Sequence, residues 1–216
     1  MNIKKNHRLL LILIAVDCLM VALHLFFGKH LDLFNLDRER NFPTYWSGTQ
    51  LLAIAMVACL GFLLSTKKSN KVYWGLFCLF FLYLQFDEIS ELHENITYYI
   101  STYIKPSRFF ASPTYMWVVF FSPLIIAASV FLFKFTRIFQ KQVYERRLFI
   151  MGVIAMITGG VLIEALSGLF IFIADKFILT AVEEGMEKIG VSMVFVSVLG
   201  IVQYLFNARF TEEKQP

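Results

Sequence analysis

Charged side chains are scarce in this sequence, which argues against an ordinary soluble protein. Only 17% of the 216 residues are Asp, Glu, Lys or Arg, whereas soluble domains carry about a quarter. Hydrophobic residues make up 58% of the chain. Several apolar runs approach or exceed the length of about 18 residues that is typical of a membrane-spanning helix. The runs do not alternate with polar residues, so they predict an all-α, polytopic membrane protein rather than a β-barrel.

Cysteine and histidine are also few, and each scarcity excludes a class of protein. The three cysteines, Cys18, Cys59 and Cys78, lie in apolar runs, and an odd number there predicts no disulfide framework. The chain has no Glu-x-x-His pair, which excludes a membrane di-iron oxidase. Only His24 and His93 fall in or beside apolar runs, which is too few for a hydrolase of the ceramidase type.

Six helices are predicted within a single transmembrane domain covering residues 1–216. Their expected bounds are 9–27, 48–64, 72–93, 115–133, 148–173 and 184–206. Pro43 is expected to stop any helix before the second span. The connection 95–114 is aromatic and polar, and we expect it to lie along the membrane surface. Gly159 and Gly160 in the fifth helix favour close approach of a neighbouring helix.

The distribution of Lys and Arg predicts the orientation of the bundle. With six helices, the side that receives both termini holds thirteen of these residues and the opposite side holds seven. Both termini are therefore predicted to be cytoplasmic, in the cell (inner or plasma) membrane. The net charge of +4 has the same explanation, so the lipid bilayer is an expected partner and nucleic acid is not. A small-molecule or lipid substrate and the oligomeric state stay open.

The most unusual stretch follows the apolar run 72–86. Five ionisable residues occur there within eight positions: Asp87, Glu88, Glu91, His93 and Glu94. The run covers about 22 Å of a hydrocarbon core of about 30 Å, so a spanning helix must continue into the acidic stretch. Ionisable groups at membrane depth are costly, and they indicate a functional site by default.

Two further helices carry acids at the same side of the predicted bundle. Glu164 lies far along the fifth helix, and Glu183, Glu184 and Glu187 lie at the beginning of the sixth. Hydrocarbon disfavours these groups, so we expect both acidic faces to turn inward and to meet. In the acidic stretch, an ideal helix places Asp87, Glu91 and Glu94 on one face, with Glu88 at its edge. His93 then lies nearly opposite Glu91, and it joins the cluster only where the helix unwinds.

So many carboxylates cannot all remain charged and unpaired at that depth. A multivalent cation, bound protons, or pairing with basic residues relieves the repulsion. The candidate metal ligands are Asp87, Glu88, Glu91, His93, Glu94, Glu164, Glu183, Glu184 and Glu187. Their oxygen atoms favour Ca²⁺, Mg²⁺ or Mn²⁺ as the divalent metal, and the histidine would admit Zn²⁺ or Fe²⁺. The candidate pairing residues are Arg38, Arg40, Lys105, Arg108, Lys176 and Lys188.

Three functions are compatible with this pattern. The first is a metal-dependent membrane enzyme, in which the ion activates water or polarises a substrate from the outer leaflet. The second is a proton- or cation-coupled transporter, and the third is a structural subunit whose acids are ion-paired. His24 lies near the outer end of the first helix, at a depth similar to that of the acids, and we expect an interfacial or hydrogen-bonded histidine there rather than a ligand. Asp17 lies near the middle of the same helix. Asp17 is either a separate functional acid or a hydrogen-bond partner of a neighbouring helix.

The motifs together resemble those of a family of bacterial multi-pass membrane proteins of uncharacterised function. The resemblance rests on Asp87-Glu88-x4-His93-Glu94, on Glu183-Glu184-x2-Glu187-x2-Gly190, and on Glu39-x-Asn41-x-Pro43-Thr44. It extends from the first helix to the sixth. It implies that the motifs form one site, and it implies no reaction, substrate or cofactor.

Overall fold

The computed structural model describes residues 3–38, 40–103, 117–139, 142–169 and 175–212, and in these ranges the chain forms helices without strands. Within these ranges six helices are long and apolar enough to cross a membrane, which confirms that part of the sequence prediction. The helices are α1 Ile3–Phe27, α2 Phe42–Leu64, α3 Lys68–Ser90, α4 Leu92–Tyr103, α5 Trp117–Phe135, α6 Val143–Ile157, α7 Glu164–Leu169 and α8 Lys176–Glu212.

Pro43 begins a helix instead of stopping one. It lies in the first turn of α2, which starts six residues before the expected bound of 48. Proline is tolerated there because the first-turn N–H groups have no partner within the helix. Asn41 caps the same turn, with its Oδ1 accepting a hydrogen bond from the Thr44 N–H at 3.1 Å. The predicted motif residue Glu39 lies outside the described residues.

The third span also differs from the prediction. It ends at Ser90, because Glu91 adopts a left-handed conformation with φ 54°, and a separate helix, α4, begins at Leu92. Part of the expected surface connection, from residue 95 to 103, is therefore helical. The rest of that connection, including Lys105 and Arg108, lies outside the described residues, as do positions 115 and 116 of the expected fourth helix.

The predicted fifth helix is interrupted. It starts at Val143, widens into a π-helical segment at Thr158–Ile163, and continues as α7. Positions 170–173 of the expected helix are outside the described part of the chain. The last helix, α8, begins at Lys176 and ends at Glu212, so it extends beyond both expected bounds.

Glycines allow α8 to pack closely against α6 at the centre of the bundle. A Cβ atom added to Gly190 would lie 2.7 Å from the carbonyl oxygen of Gly152, and one added to Gly152 would lie 2.8 Å from the carbonyl oxygen of Gly190. The two backbones thus meet where both side chains are absent, as small residues permit in membrane helices. Helix α8 also packs against α1 and α2, and it is the central element of the fold.

The two ends of the bundle have different chemistry. One end contains a buried aromatic cluster, in which the Phe77 and Phe135 rings stack at 4.1 Å and Phe149 lies beside them. The other end, here called the acidic end, contains residues 28–38 and 40–41, α4, α7 and the start of α8. Ion pairs join these parts: Lys176 to Asp37 at 2.8 Å, and Arg40 to Glu91 at 3.2 Å.

Candidate functional site

A cavity of about 250 Å³ lies between α3, α5, α8 and the α6–α7 segment, and it is here called the acidic cavity. Its wall at the acidic end is polar, and the rest of its wall is mainly apolar. The polar wall consists of Asp87, Glu88, His93, Glu94, Glu164, Glu183, Glu184 and Glu187. The structure therefore brings eight of the nine candidate residues to one place, from three separate regions of the sequence.

Glu91 is the candidate residue that does not line the acidic cavity. Its Oε1 atom lies 3.2 Å from Nε of Arg40, at the edge of the bundle. The projection that placed Glu91 on one face with Asp87 assumed a continuous helix, but α3 ends at Ser90 and the backbone of Glu91 is left-handed.

The change of direction at Glu91, between α3 and α4, places His93 in the polar wall. The His93 Nδ1 atom lies 2.8 Å from Oδ2 of Asp87, and the His93 backbone N–H donates to Oδ1 at 2.9 Å. The two contacts fix the histidine over the end of α3. Burial by itself lowers the pKa of His93, but the hydrogen bond and charge of Asp87 outweigh it, and the pKa is raised to about 9. Burial raises the pKa of the neighbouring Glu94.

The ion pair between His93 and Asp87 is expected to make the stability of the protein depend on pH. The folded-state pKa of His93, about 9, lies above its ordinary value of 6.5, so folding favours the protonated form. Its contribution is fully present below pH 6.5 and is lost as the pH rises through about 9. The shift corresponds to about 3 kcal/mol. We expect thermal unfolding in detergent to show a fall in stability across this range for the wild type.

The control for this prediction is the exposed His30, which does not line the acidic cavity. His93→Gln should reduce the decline between pH 6.5 and pH 9, whereas His30→Gln should leave it as in the wild type. An unchanged decline in His93→Gln would contradict the assignment of the titration to this histidine.

Two adjacent glycines bring α8 against the π-helical segment. A Cβ atom on Gly159 would lie 2.6 Å from the carbonyl oxygen of Glu183, and one on Gly160 would lie 2.9 Å from Oε2 of Glu187. The close approach expected from these glycines is therefore present. It positions the Glu187 carboxylate directly over Gly160, at the wall of the acidic cavity.

Trp117 is a site residue that sequence reasoning missed. Its indole Nε1–H donates to Oε1 of Glu164 at 2.7 Å, and its ring lies 4.8 Å from the ring of His93. It thus ties the beginning of α5 to both α4 and α7. No local pattern could have identified it, since the three residues are far apart in sequence.

The positive charges found at the polar wall do not balance its acids. Lys188 is 2% exposed and forms an ion pair with Glu184, and His93 pairs with Asp87. Seven carboxylates line the cavity. Among the residues that the structure describes, Glu183 and Glu187 make no hydrogen bond or ion pair, and each lies near other carboxylates. The wall therefore holds more carboxyl groups than cationic side chains.

Asp17 is separate from the acidic cavity and is fully hydrogen-bonded. Its Oδ1 atom accepts from Trp46 Nε1 at 2.8 Å and from Gln50 Nε2 at 3.1 Å, while its Oδ2 atom accepts from Ser192 Oγ at 2.6 Å. The carboxylate thereby joins α1, α2 and α8. The structure thus shows Asp17 as a hydrogen-bond partner of neighbouring helices, which is one of the two roles predicted for it from the sequence.

His24 also makes structural contacts. The Leu36 N–H donates to its Nδ1 atom at 3.0 Å, so its Nε2–H is free to donate to the carbonyl oxygen of Phe177 at 3.1 Å. Both ring nitrogens are used, and the imidazole stacks on the Phe177 ring at 3.9 Å. His24 joins α1 to the beginning of α8 and does not reach the acidic cavity.

As the side chains stand, no three His, Cys, Asp or Glu groups in the described part of the chain are arranged to hold a metal ion. The carboxylates of α8 face those of α3 and α7 across the cavity. Metal coordination would therefore require rotation of glutamate side chains, which have several flexible bonds.

Comparison with known proteins gives a family but no activity. A family model described as a domain of unknown function, DUF8692, matches residues 8–201. The match includes all three acidic segments of the polar wall. No curated protein and no solved structure matches the chain.

Proposed function

The chain belongs to the DUF8692 family, a domain of unknown function, and we propose that it is a multi-pass membrane protein that binds a cationic ligand in the acidic cavity. The ligand class to test first is a divalent metal ion such as Mn²⁺, Mg²⁺ or Ca²⁺, which carboxylate oxygens favour. A bound ion would make the protein a candidate metal-dependent membrane enzyme, in which the ion polarises a substrate or activates water.

The observation that supports this proposal is the excess of carboxyl groups over cationic side chains in the polar wall. Seven carboxylates line one cavity, and two of them, Glu183 and Glu187, have no hydrogen-bond or ion-pair partner among the described residues. Buried carboxylates without partners are costly for folding. A ligand with a positive charge would offset that cost, whereas an anion would be repelled.

Titration of the purified protein with Mn²⁺ tests the proposal. Free Mn²⁺ is measured by electron paramagnetic resonance, with the protein in lipid nanodiscs, and elemental analysis of the untreated sample identifies any ion that co-purifies. We expect saturable binding of about one ion per chain, which Ca²⁺ or Mg²⁺ reduces by competition. Absence of saturable binding of any of these ions would reject the metal ion as the ligand.

The basic residues support an orientation with both termini cytoplasmic and the acidic cavity near the outer face. We expect a cysteine in place of Leu33, which is 57% exposed at the acidic end, to react with a membrane-impermeant maleimide on intact cells. A cysteine in place of Thr66, between α2 and α3, should react only after the membrane is opened. All native cysteines are first replaced by serine. The reverse pattern of labelling would overturn this topology.

A proton-coupled transporter is the second candidate, and one structural observation favours it. The Ser47 hydroxyl lies beside the Glu88 carboxylate, and Gln50, one turn further along α2, bonds to Asp17. Ser47 Oγ and Gln50 Oε1 are buried, and neither has a well-aligned hydrogen-bond partner among the described residues. Buried unpaired groups of this kind commonly hold water, which would connect the acidic cavity to Asp17.

Proton flux into liposomes distinguishes the second candidate from the first. A transporter should acidify the lumen at a rate that Asp17→Asn lowers by about tenfold or more, because the relay loses its central carboxylate. A protein that only binds a cation should give the flux of empty liposomes in both forms.

A further inference from the structure

The acidic cavity is much longer than its polar wall. Along α5 its lining extends from Trp117 to Leu132, which is about 22 Å of helix and most of a hydrocarbon core of about 30 Å. Beyond the carboxylates the lining is almost entirely apolar, with residues such as Phe80, Phe121 and Ile157. A hydrated metal ion would contact only the polar wall, so the apolar part of the cavity suits a ligand with a hydrocarbon chain.

The apolar part opens toward the outer surface of the bundle. A second, smaller cavity lies between α3 and α5, and it shares four lining residues with the acidic cavity: Phe80, Tyr83, Leu124 and Ala128. At this opening Leu76 is 50% exposed and Leu124 is 54% exposed. The two cavities therefore adjoin each other, and together, from the carboxylates to an apolar surface between two helices, they are here called the passage.

The passage exists because α5 is held chiefly at its ends. At its beginning Trp117 bonds to Glu164, and at its end Phe135 stacks on Phe77 of α3. Between these attachments α5 stands away from α3. Pro123 lies in this stretch, and the Ser122 hydroxyl donates at 2.8 Å to the Val119 carbonyl oxygen, which the proline cannot bond.

We propose that the acidic cavity takes up a long-chain primary amine from the bilayer through the opening between α3 and α5. The ammonium group would lie in the space between the α8 acids, Glu183 and Glu187, and the acids of α3 and α7 that face them. Its alkyl chain would lie along Phe80 and Ala128. The proposal rests on the proposed cation-binding function and adds the class of ligand and its route. An ammonium group supplies a positive charge and three hydrogen-bond donors for carboxyl groups that lack them.

Photolabelling in nanodiscs of zwitterionic lipid tests this proposal. The probe is dodecylamine with a diazirine in the middle of its chain, and mass spectrometry locates the labelled residues. We expect labels on α3 and α5 at the passage, around Phe80, Leu124 and Ala128. Unlabelled dodecylamine should reduce this labelling about tenfold at concentrations where butylamine does not, because only the longer chain fills the apolar part. The matching diazirine alcohol should not label the passage specifically.

Matched variants separate the passage from general contact with lipid. Ala128→Trp fills the point that both cavities share, and it should reduce labelling about tenfold. Ile126→Trp adds the same side chain on the same helix at a position that is 64% exposed and lines neither cavity, so it should change nothing. Competition by dodecylamine in the wild type requires no variant, so the test stands even where Ala128→Trp does not fold.

The outcomes distinguish this inference from the function on which it rests. Specific labelling that Mn²⁺ also displaces would support both. Saturable Mn²⁺ binding without specific amine labelling, or equal labelling by the alcohol probe, would overturn the amine proposal and leave the cation site intact. Absence of both Mn²⁺ binding and amine labelling would overturn both.

Discussion

Replacing Glu183 and Glu187 together by glutamine is expected to weaken Mn²⁺ binding about a hundredfold or more, since each removes a charge-assisted contact of about 1.5–3 kcal/mol. The substitution keeps the size of both side chains and removes two carboxyl groups from the polar wall. Affinity is measured by the same Mn²⁺ titration in nanodiscs.

Glu91→Gln is the matched control for this double variant. It removes one carboxylate from the same acidic stretch, but Glu91 pairs with Arg40 and does not line the acidic cavity. Its Mn²⁺ affinity should equal that of the wild type. A similar loss of affinity in Glu91→Gln would show that the general negative charge of this end, and not the acidic cavity, attracts the ion.

Stability of the double variant distinguishes a binding site from a structural ion-pair network. Glu183 and Glu187 have no ion-pair partner among the described residues, so their neutralisation should leave the thermal unfolding temperature in metal-free buffer unchanged or higher. A structural network predicts the opposite. A marked fall in the unfolding temperature would therefore favour the structural-subunit function.

Substitution of Gly190 by valine is expected to cost on the order of 3 kcal/mol of folding free energy, or to prevent folding. The new Cβ atom would lie 2.7 Å from the Gly152 carbonyl oxygen and 2.7 Å from the Met156 backbone nitrogen. Both are backbone atoms of α6, so the helices would have to separate. Unfolding in detergent, followed by circular dichroism, measures the loss.

Gly75→Val is the control for this prediction. Gly75 also lies inside a helix, but a Cβ atom there would come no closer than 3.6 Å to its neighbour, the Phe62 ring. The change should be within about 1 kcal/mol of the wild type, because valine and glycine differ little in helix propensity. Equal stability of both variants would contradict the close α6–α8 contact.

The helical architecture followed from features that are local in the sequence. Apolar runs of spanning length predicted six long helices, and Gly159 and Gly160 predicted a close approach. Helix ends were harder to predict. Pro43 was read as a stop because proline lacks an N–H, but in the first turn of a helix that N–H has no partner anyway.

The candidate site was also predictable in part: its general location followed from the sequence, but its exact set of residues did not. Topology alone predicted that the acids of α3, α7 and α8 would meet, since alternating helices place them at one end. A single backbone conformation, the left-handed turn at Glu91, decides that His93 lines the acidic cavity and that Glu91 does not. Non-glycine residues seldom adopt that conformation, so no sequence pattern indicated it. Trp117 required knowledge of the packing of α5, which the sequence does not encode locally.

Anomalous X-ray scattering from Mn²⁺-soaked crystals, recorded at the manganese edge, tests the binding of a cation in the acidic cavity most directly. We expect one strong peak beside α8, with oxygen atoms of Glu183 or Glu187 and of an acid from α3 or α7 at about 2.0–2.6 Å. A peak confined to the exposed loops, or no peak in the acidic cavity at saturating Mn²⁺, would contradict the account.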